Sequence, residues 1–207
     1  MRQKRKVFAF TLIEMLVVIA VIALLATLIA GAGIRAAEAK KHQRVKTEKE
    51  RLVTAIEAYQ HALGSYPPDN GMMVKDPSPD RPYAATNQLY YELTGPTYDT
   101  ANNQYKAFDT SIIKSNEYFL AFNRNGVLNS IEPKPFYSPL PKPADYRSNF
   151  VSDVQNANVL MVPVDFQGSA NNPWRYDSSS TNRHNSDSFD LWAVYTVGNK
   201  NYTNGNW

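Results

Sequence analysis

Glu14 is the residue whose setting most demands an explanation. From Val7 to Ile34 it is the only charged side chain. An ionisable group inside an apolar helix is costly and calls for a partner. A carboxylate there suits charge pairing with an amine of another chain, which would neutralise both groups in a low-dielectric setting. A second set of carboxylates lies near the C-terminus. Asp187 and Asp190 flank Ser188-Phe189, and Asp177 lies across an expected hairpin. Carboxylates among loop carbonyls suit Ca²⁺, which takes oxygen ligands. The other candidates are weaker. His184 near Asp187 reads as an exposed loop residue, and His42 and His61, nineteen apart, lack ligand spacing. Zero Cys excludes disulfides, thiolate zinc sites and cysteine nucleophiles. There is no Gly-rich phosphate loop and no Gly-x-Ser-x-Gly elbow. No catalytic constellation emerges, so an enzyme is not expected. A net charge of +3 over 207 residues is too small for the basic stripe that nucleic acid requires.

The element that must carry Glu14 is a long helix. Residues 2–6 are basic, and Met15–Ile34 is a run of twenty uncharged, mostly aliphatic residues. Twenty helical residues span roughly 30 Å, the thickness of a bilayer core. The run is too long for the apolar region of a secretory signal peptide. The helical pattern continues past it. Arg35–Leu63 has neither Pro nor Gly, and Val45, Leu52, Ile56, Tyr59 and Leu63 form one apolar stripe. Lys46–Glu50 and Glu48–Arg51 have the spacing of surface ion pairs. Gly64 supplies a C-cap, and Pro67-Pro68 forbid continuation. The spacing therefore predicts one helix from Phe10 to Leu63, with Gly31 and Gly33 as a point where it can bend. Arg35 to Arg51 forms a basic face suited to anionic lipid or a neighbouring subunit.

The run Ala9-Phe10-Thr11-Leu12-Ile13-Glu14, behind a short basic leader and before the apolar stretch, resembles the class III signal of type IV pilins and type II secretion pseudopilins. The resemblance implies that a prepilin peptidase cuts between Ala9 and Phe10 and methylates the new N-terminus. The family usually has Gly where this chain has Ala9. It also implies that Glu14, with Phe10, sets register as subunits assemble. Loss of residues 1–9 leaves 18 Lys+Arg against 19 Asp+Glu, so the basic excess belongs to the leader. Lys and Arg on both sides of the apolar run leave the positive-inside count ambiguous. The denser leader is placed in the cytoplasm, as the resemblance also implies.

In the body, Gln88–Thr94 reads as a short helix ended by Gly95-Pro96. Residues 67–87 and 97–117 read as loops. Tyr118–Phe122 reads as a strand, Asn123–Gly126 as a hairpin turn and Val127–Ile131 as its return strand. Five Pro between 133 and 143 make an extended connector. Val159–Val164 and Phe189–Gly198 read as strands. Gly64-Ser65-Tyr66-Pro67 resembles the end of the long helix in the major pseudopilin of type II secretion, and Asn172-Pro173-Trp174…Tyr176 before Phe189-Asp190-Leu191-Trp192 resembles that family's C-terminal hairpin. Asn172 stands where that family has Asp and Arg175 where it has Gly. Some of its members bind Ca²⁺ in this region, although no acidic, Gly-rich loop follows in Asn199–Trp207.

The expected fold is α+β: a long N-terminal helix, transmembrane in its first half, packed on a small antiparallel sheet in a pilin-like lollipop. The expected organisation is a leader at 1–9, a transmembrane and assembly helix at 10–34, and an exported domain at 35–207. The expected function is a structural subunit of a type II secretion pseudopilus. Its partners would be the prepilin peptidase, other copies of itself, minor pseudopilins and an inner-membrane assembly platform. It would be single-pass in the inner membrane, then part of a filament. A type IV pilus subunit for adhesion, motility or DNA uptake is an alternative, as is a membrane-anchored exported binding domain. The absence of Cys favours secretion over pilins with a disulfide-bounded loop.

Overall fold

The helix expected from Phe10 to Leu63 is α1, Leu12–Leu63. It is seen in a computed structural model that describes residues 11–71, 82–147 and 157–207; the side chains at 28–32, 34, 82, 83 and 147 are outside the described set. The chain divides into two compact units between Lys40 and Lys41. In the first unit, every large apolar side chain from Leu12 to Leu25 is exposed. Among the described residues, no helix is long and apolar enough to cross a membrane. The twenty-residue span expected for that role includes the undescribed side chains at 28–32 and 34.

The second unit is built on the remainder of α1. Val45, Leu52, Ile56 and Tyr59 are completely buried, as the stripe predicts, whereas Leu63 at its end is exposed. Both expected surface pairs form: Lys46 Nζ lies 4.0 Å from Glu50 Oε1, and Arg51 Nη1 lies 2.7 Å from Glu48 Oε2. Gly64 closes the helix with φ +79° and its N–H on the Gln60 carbonyl. A left-handed residue is needed there, which is why Gly ends the helix.

A short helix, α2 (Leu89–Thr94), follows and is capped by Gly95 at φ +67°, as expected. A Cβ at Gly95 would lie 2.7 Å from the Lys134 backbone N, so two chain segments meet there. Residues 97–117, expected as loop, instead hold a three-stranded antiparallel meander: β1 (Thr97–Asp99), β2 (Gln104–Lys106) and β3 (Ile112–Lys114). Tyr118–Phe122 is not a strand but the end of helix α3, Ser115–Phe122. Tyr118, Ala121 and Phe122 are buried while Phe119 and Leu120 are exposed, which is a helical spacing and not an alternating one. Glu117 accepts the Lys114 N–H at 3.0 Å and caps the start. Asn123, at φ 49°, is the left-handed C-cap of α3 and not the first residue of a hairpin turn. The expected return strand at Val127–Ile131 is a 3-10 turn at Leu128–Ser130.

Residues 133–143 carry no helix or strand, as their prolines require. Next, β4 (Tyr146–Arg147) pairs with β5 (Val159–Leu160). The expected strand thus stops at Leu160, and Met161 makes an isolated bridge to Pro173. The C-terminal sheet is antiparallel in the order β6 (Arg175–Asp177), β7 (Asp190–Val197), β8 (Lys200–Gly205). Tyr176 lies opposite Leu191, so the segment around Asn172–Tyr176 does pair with the strong strand. One core joins α1 to these sheets, and tyrosines fill much of it: Tyr59, Tyr90, Tyr91, Tyr118, Tyr137 and Tyr176 are all buried. The fold is α+β, an N-terminal helix packed on small antiparallel sheets, consistent with a pilin-like fold.

Candidate functional site

Thr11 and Glu14 form a reciprocal cap at the start of α1. The Glu14 carboxylate accepts the Thr11 N–H at 2.8 Å and the Thr11 hydroxyl at 2.6 Å. The Glu14 N–H points back to the Thr11 hydroxyl at 3.3 Å. This is a capping box, in which a Thr and a Glu three residues later satisfy backbone donors that a helix start leaves free. Sequence reasoning singled out Glu14 and overlooked Thr11, although Thr-x-x-Glu before an apolar run is itself a helix-start signal. Ala9 and Phe10, the expected cleavage residues, lie outside the described residues.

The C-terminal carboxylates follow a different plan. The Asp190 side chain is 1% exposed, and its two oxygens accept the backbone N–H groups of His184 at 2.8 Å and Asn185 at 3.0 Å. His184 Nδ1 lies 3.2 Å from the same carboxylate, and its ring stacks on Trp207. Asp187 is exposed. Asp177 sits opposite Asp190 in the sheet and accepts the N–H groups of Ser179 and Ser180. A third buried carboxylate, Asp69, comes from the segment after α1. It takes the N–H groups of Ser178 and Ser179 on one oxygen and the Arg124 guanidinium, at 2.8 Å, on the other. Sequence reasoning did not single out Asp69, because more than a hundred residues separate it from its loop partners.

The cation among the carbonyls of this loop is Arg183. Its Nη1 donates to the carbonyls of Ser178 at 2.9 Å and Ser180 at 2.8 Å, and its Nη2 donates to Ser186 at 2.8 Å. A guanidinium thus uses oxygens of the kind that Ca²⁺ would need. Among the described residues, no group of three or more His, Asp or Glu is placed to hold a metal ion. Arg183→Ala is therefore expected to lower stability by about 2 kcal/mol, read as a lower melting midpoint of the full chain. Adding Ca²⁺ or EDTA to the unsubstituted chain should leave that midpoint unchanged. A midpoint that rises with Ca²⁺ would refute this reading of the loop.

Comparison with known families bears on the first of these two sites. Residues 4–30 match the prokaryotic N-terminal methylation motif. The chain therefore carries a type IV pilin-like prepilin signal. The match spans Phe10, Thr11 and Glu14, so the capping box lies inside the motif. The motif supports a prepilin-processed, type IV pilin-like subunit. It implies processing by the prepilin peptidase, membrane-anchored export and assembly into a membrane-associated, pilus-like filament. Comparisons with curated proteins and with solved structures returned no match.

Proposed function

We propose that this chain is a structural subunit of a type II secretion pseudopilus and not an enzyme. The methylation motif at residues 4–30 carries the proposal. The prepilin peptidase cuts between Ala9 and Phe10 and methylates Phe10. The uncharged run Met15–Ile34 supports a single pass through the inner membrane, with the basic leader in the cytoplasm. An inner-membrane platform then moves subunits, with minor pseudopilins, into a filament. There Glu14 of one copy meets the Phe10 amine of another, exchanging its capping-box contacts for a charge pair. The absence of Cys and the Asn172–Tyr176 segment before β7 favour secretion over the pilus alternative.

Two measurements test the reading. Intact mass of the membrane-extracted protein should match residues 10–207 plus one methyl group; an uncut chain would refute the processing step. Deleting the gene should retain an exoprotein inside the cell and leave surface pili in place. Loss of pili with normal secretion would instead establish the pilus alternative.

A further inference from the structure

The part of α1 in the second unit carries an ordered charge pattern on its open face. Arg44 and Arg51 are seven residues apart, as are Glu50 and Glu57. At about 100° per residue, seven positions return almost to the same angle. The two Arg therefore share one edge of the helix and the two Glu another, about 120° away. Gln43, Thr47 and Thr54 lie between them, all exposed. Val45, Leu52 and Ile56 point the other way, into the core. Among the described residues, Arg44 and Glu57 have no ion-pair partner. Among the described residues, the ion-pair partner of Glu50 is Lys46 at 4.0 Å, with both side chains 60% exposed. Arg51 holds Glu48 and the Pro139 carbonyl, yet its side chain remains 32% exposed.

We propose that this face is a head-to-tail interface between two copies of the chain. The Arg edge of one copy meets the Glu edge of the next, pairing Arg44 with Glu50 and Arg51 with Glu57. Both pairs are separated by six residues. A single axial offset of roughly 9 Å between parallel helices therefore satisfies them together. Opposite charges on different edges of one helix are what a heterologous contact needs, and such contacts propagate into open helical assemblies. Exposed ion pairs add little affinity, so their effect is to select one offset over others. The inference rests on the filament reading for the parallel orientation of the copies.

The test exchanges charges in the full-length chain, in cells that supply its processing and assembly machinery. The readouts are crosslinked multimers in isolated membranes and sheared filaments. Arg44→Glu alone and Glu50→Arg alone should each reduce both by roughly tenfold, because like charges then face each other across the contact. The double variant should return to within about twofold of the unsubstituted chain, which also shows that the singles were not merely unfolded. A double variant no better than either single overturns the pairing. So does rescue of Arg44→Glu by Glu57→Arg in place of Glu50→Arg, since that exchange belongs to antiparallel helices. Multimers of the unsubstituted chain without exchange rescue overturn the pairing alone; no multimers at all overturn both the pairing and the filament reading.

Discussion

Glu14→Ala is expected to abolish filament assembly while the precursor is still cut between Ala9 and Phe10. Two roles meet at this carboxylate, and they differ in size. Within its own chain, Glu14 closes the capping box with Thr11. Losing a cap costs about 1 kcal/mol, which frays the first turn of a helix but does not remove it. In the proposed filament, Glu14 neutralises the Phe10 amine of a neighbour out of water. Removing one partner of a buried pair costs about 3–5 kcal/mol, on the order of a hundredfold or more in each subunit contact. Glu14→Gln separates the two. Gln also serves in a capping box, so the cap survives while the charge is lost. Gln should therefore fail to assemble as completely as Ala. Thr11→Ala has the reverse profile: it loosens the cap, keeps the charge and should lower filament yield only several-fold. Sheared filament yield and intact mass together read both steps. Normal filaments from Glu14→Gln would reduce Glu14 to a helix cap.

The long helix was legible because its signals are local and repeat. Val45, Leu52, Ile56 and Tyr59 recur over four turns, and two i,i+3 or i,i+4 pairs and a terminal Gly agree with them. The meander was not legible. Strands of three residues, such as Gln104–Lys106, are too short to show an alternation. Tyr118–Phe122 was misread because five apolar residues in a row carry no period of their own. The capping glutamate Glu117, three residues after Lys114, was the available sign of a helix.

The candidate sites divide in the same way. The prepilin signal is a linear motif, so sequence alone places it at residues 4–30. The C-terminal loop is assembled from distant pieces. Asp190 and Asp177 were visible as a carboxylate cluster, but their chemistry depends on what fills the loop. Asp69 and Arg183 decide that: one takes backbone N–H groups and the other takes backbone carbonyls. Neither contact follows from spacing.

The second large effect is expected at Glu92, a charged residue that no motif marks. It is fully buried in α2, and its carboxylate accepts three donors: the Tyr59 hydroxyl at 2.8 Å, the Leu128 N–H at 2.9 Å and the Asn129 N–H at 3.1 Å. It thereby ties α1 to the 3-10 turn at Leu128–Ser130. Glu92→Ala leaves three donors without an acceptor, two of them buried and the Leu128 N–H half-buried, and opens a cavity. Each orphaned donor costs about 1–3 kcal/mol, and relief of the buried charge offsets part of that. The net loss should be about 3 kcal/mol, a fall in melting midpoint of roughly 6–12 °C for a chain of this size. Burial pushes the Glu92 pKa above its ordinary value of 4.5, against the three donors, which pull it down. The native state therefore holds this proton to higher pH than the unfolded chain does. The stability it contributes is fully present below pH 4.5 and is lost as pH rises through the raised native pKa. Glu92→Gln cannot ionise, so its stability should not show that decline. Melting both proteins from pH 4 upward checks the sign. If the unsubstituted chain gains stability relative to Glu92→Gln as pH rises, the donors outweigh desolvation and the carboxylate is the favoured native form.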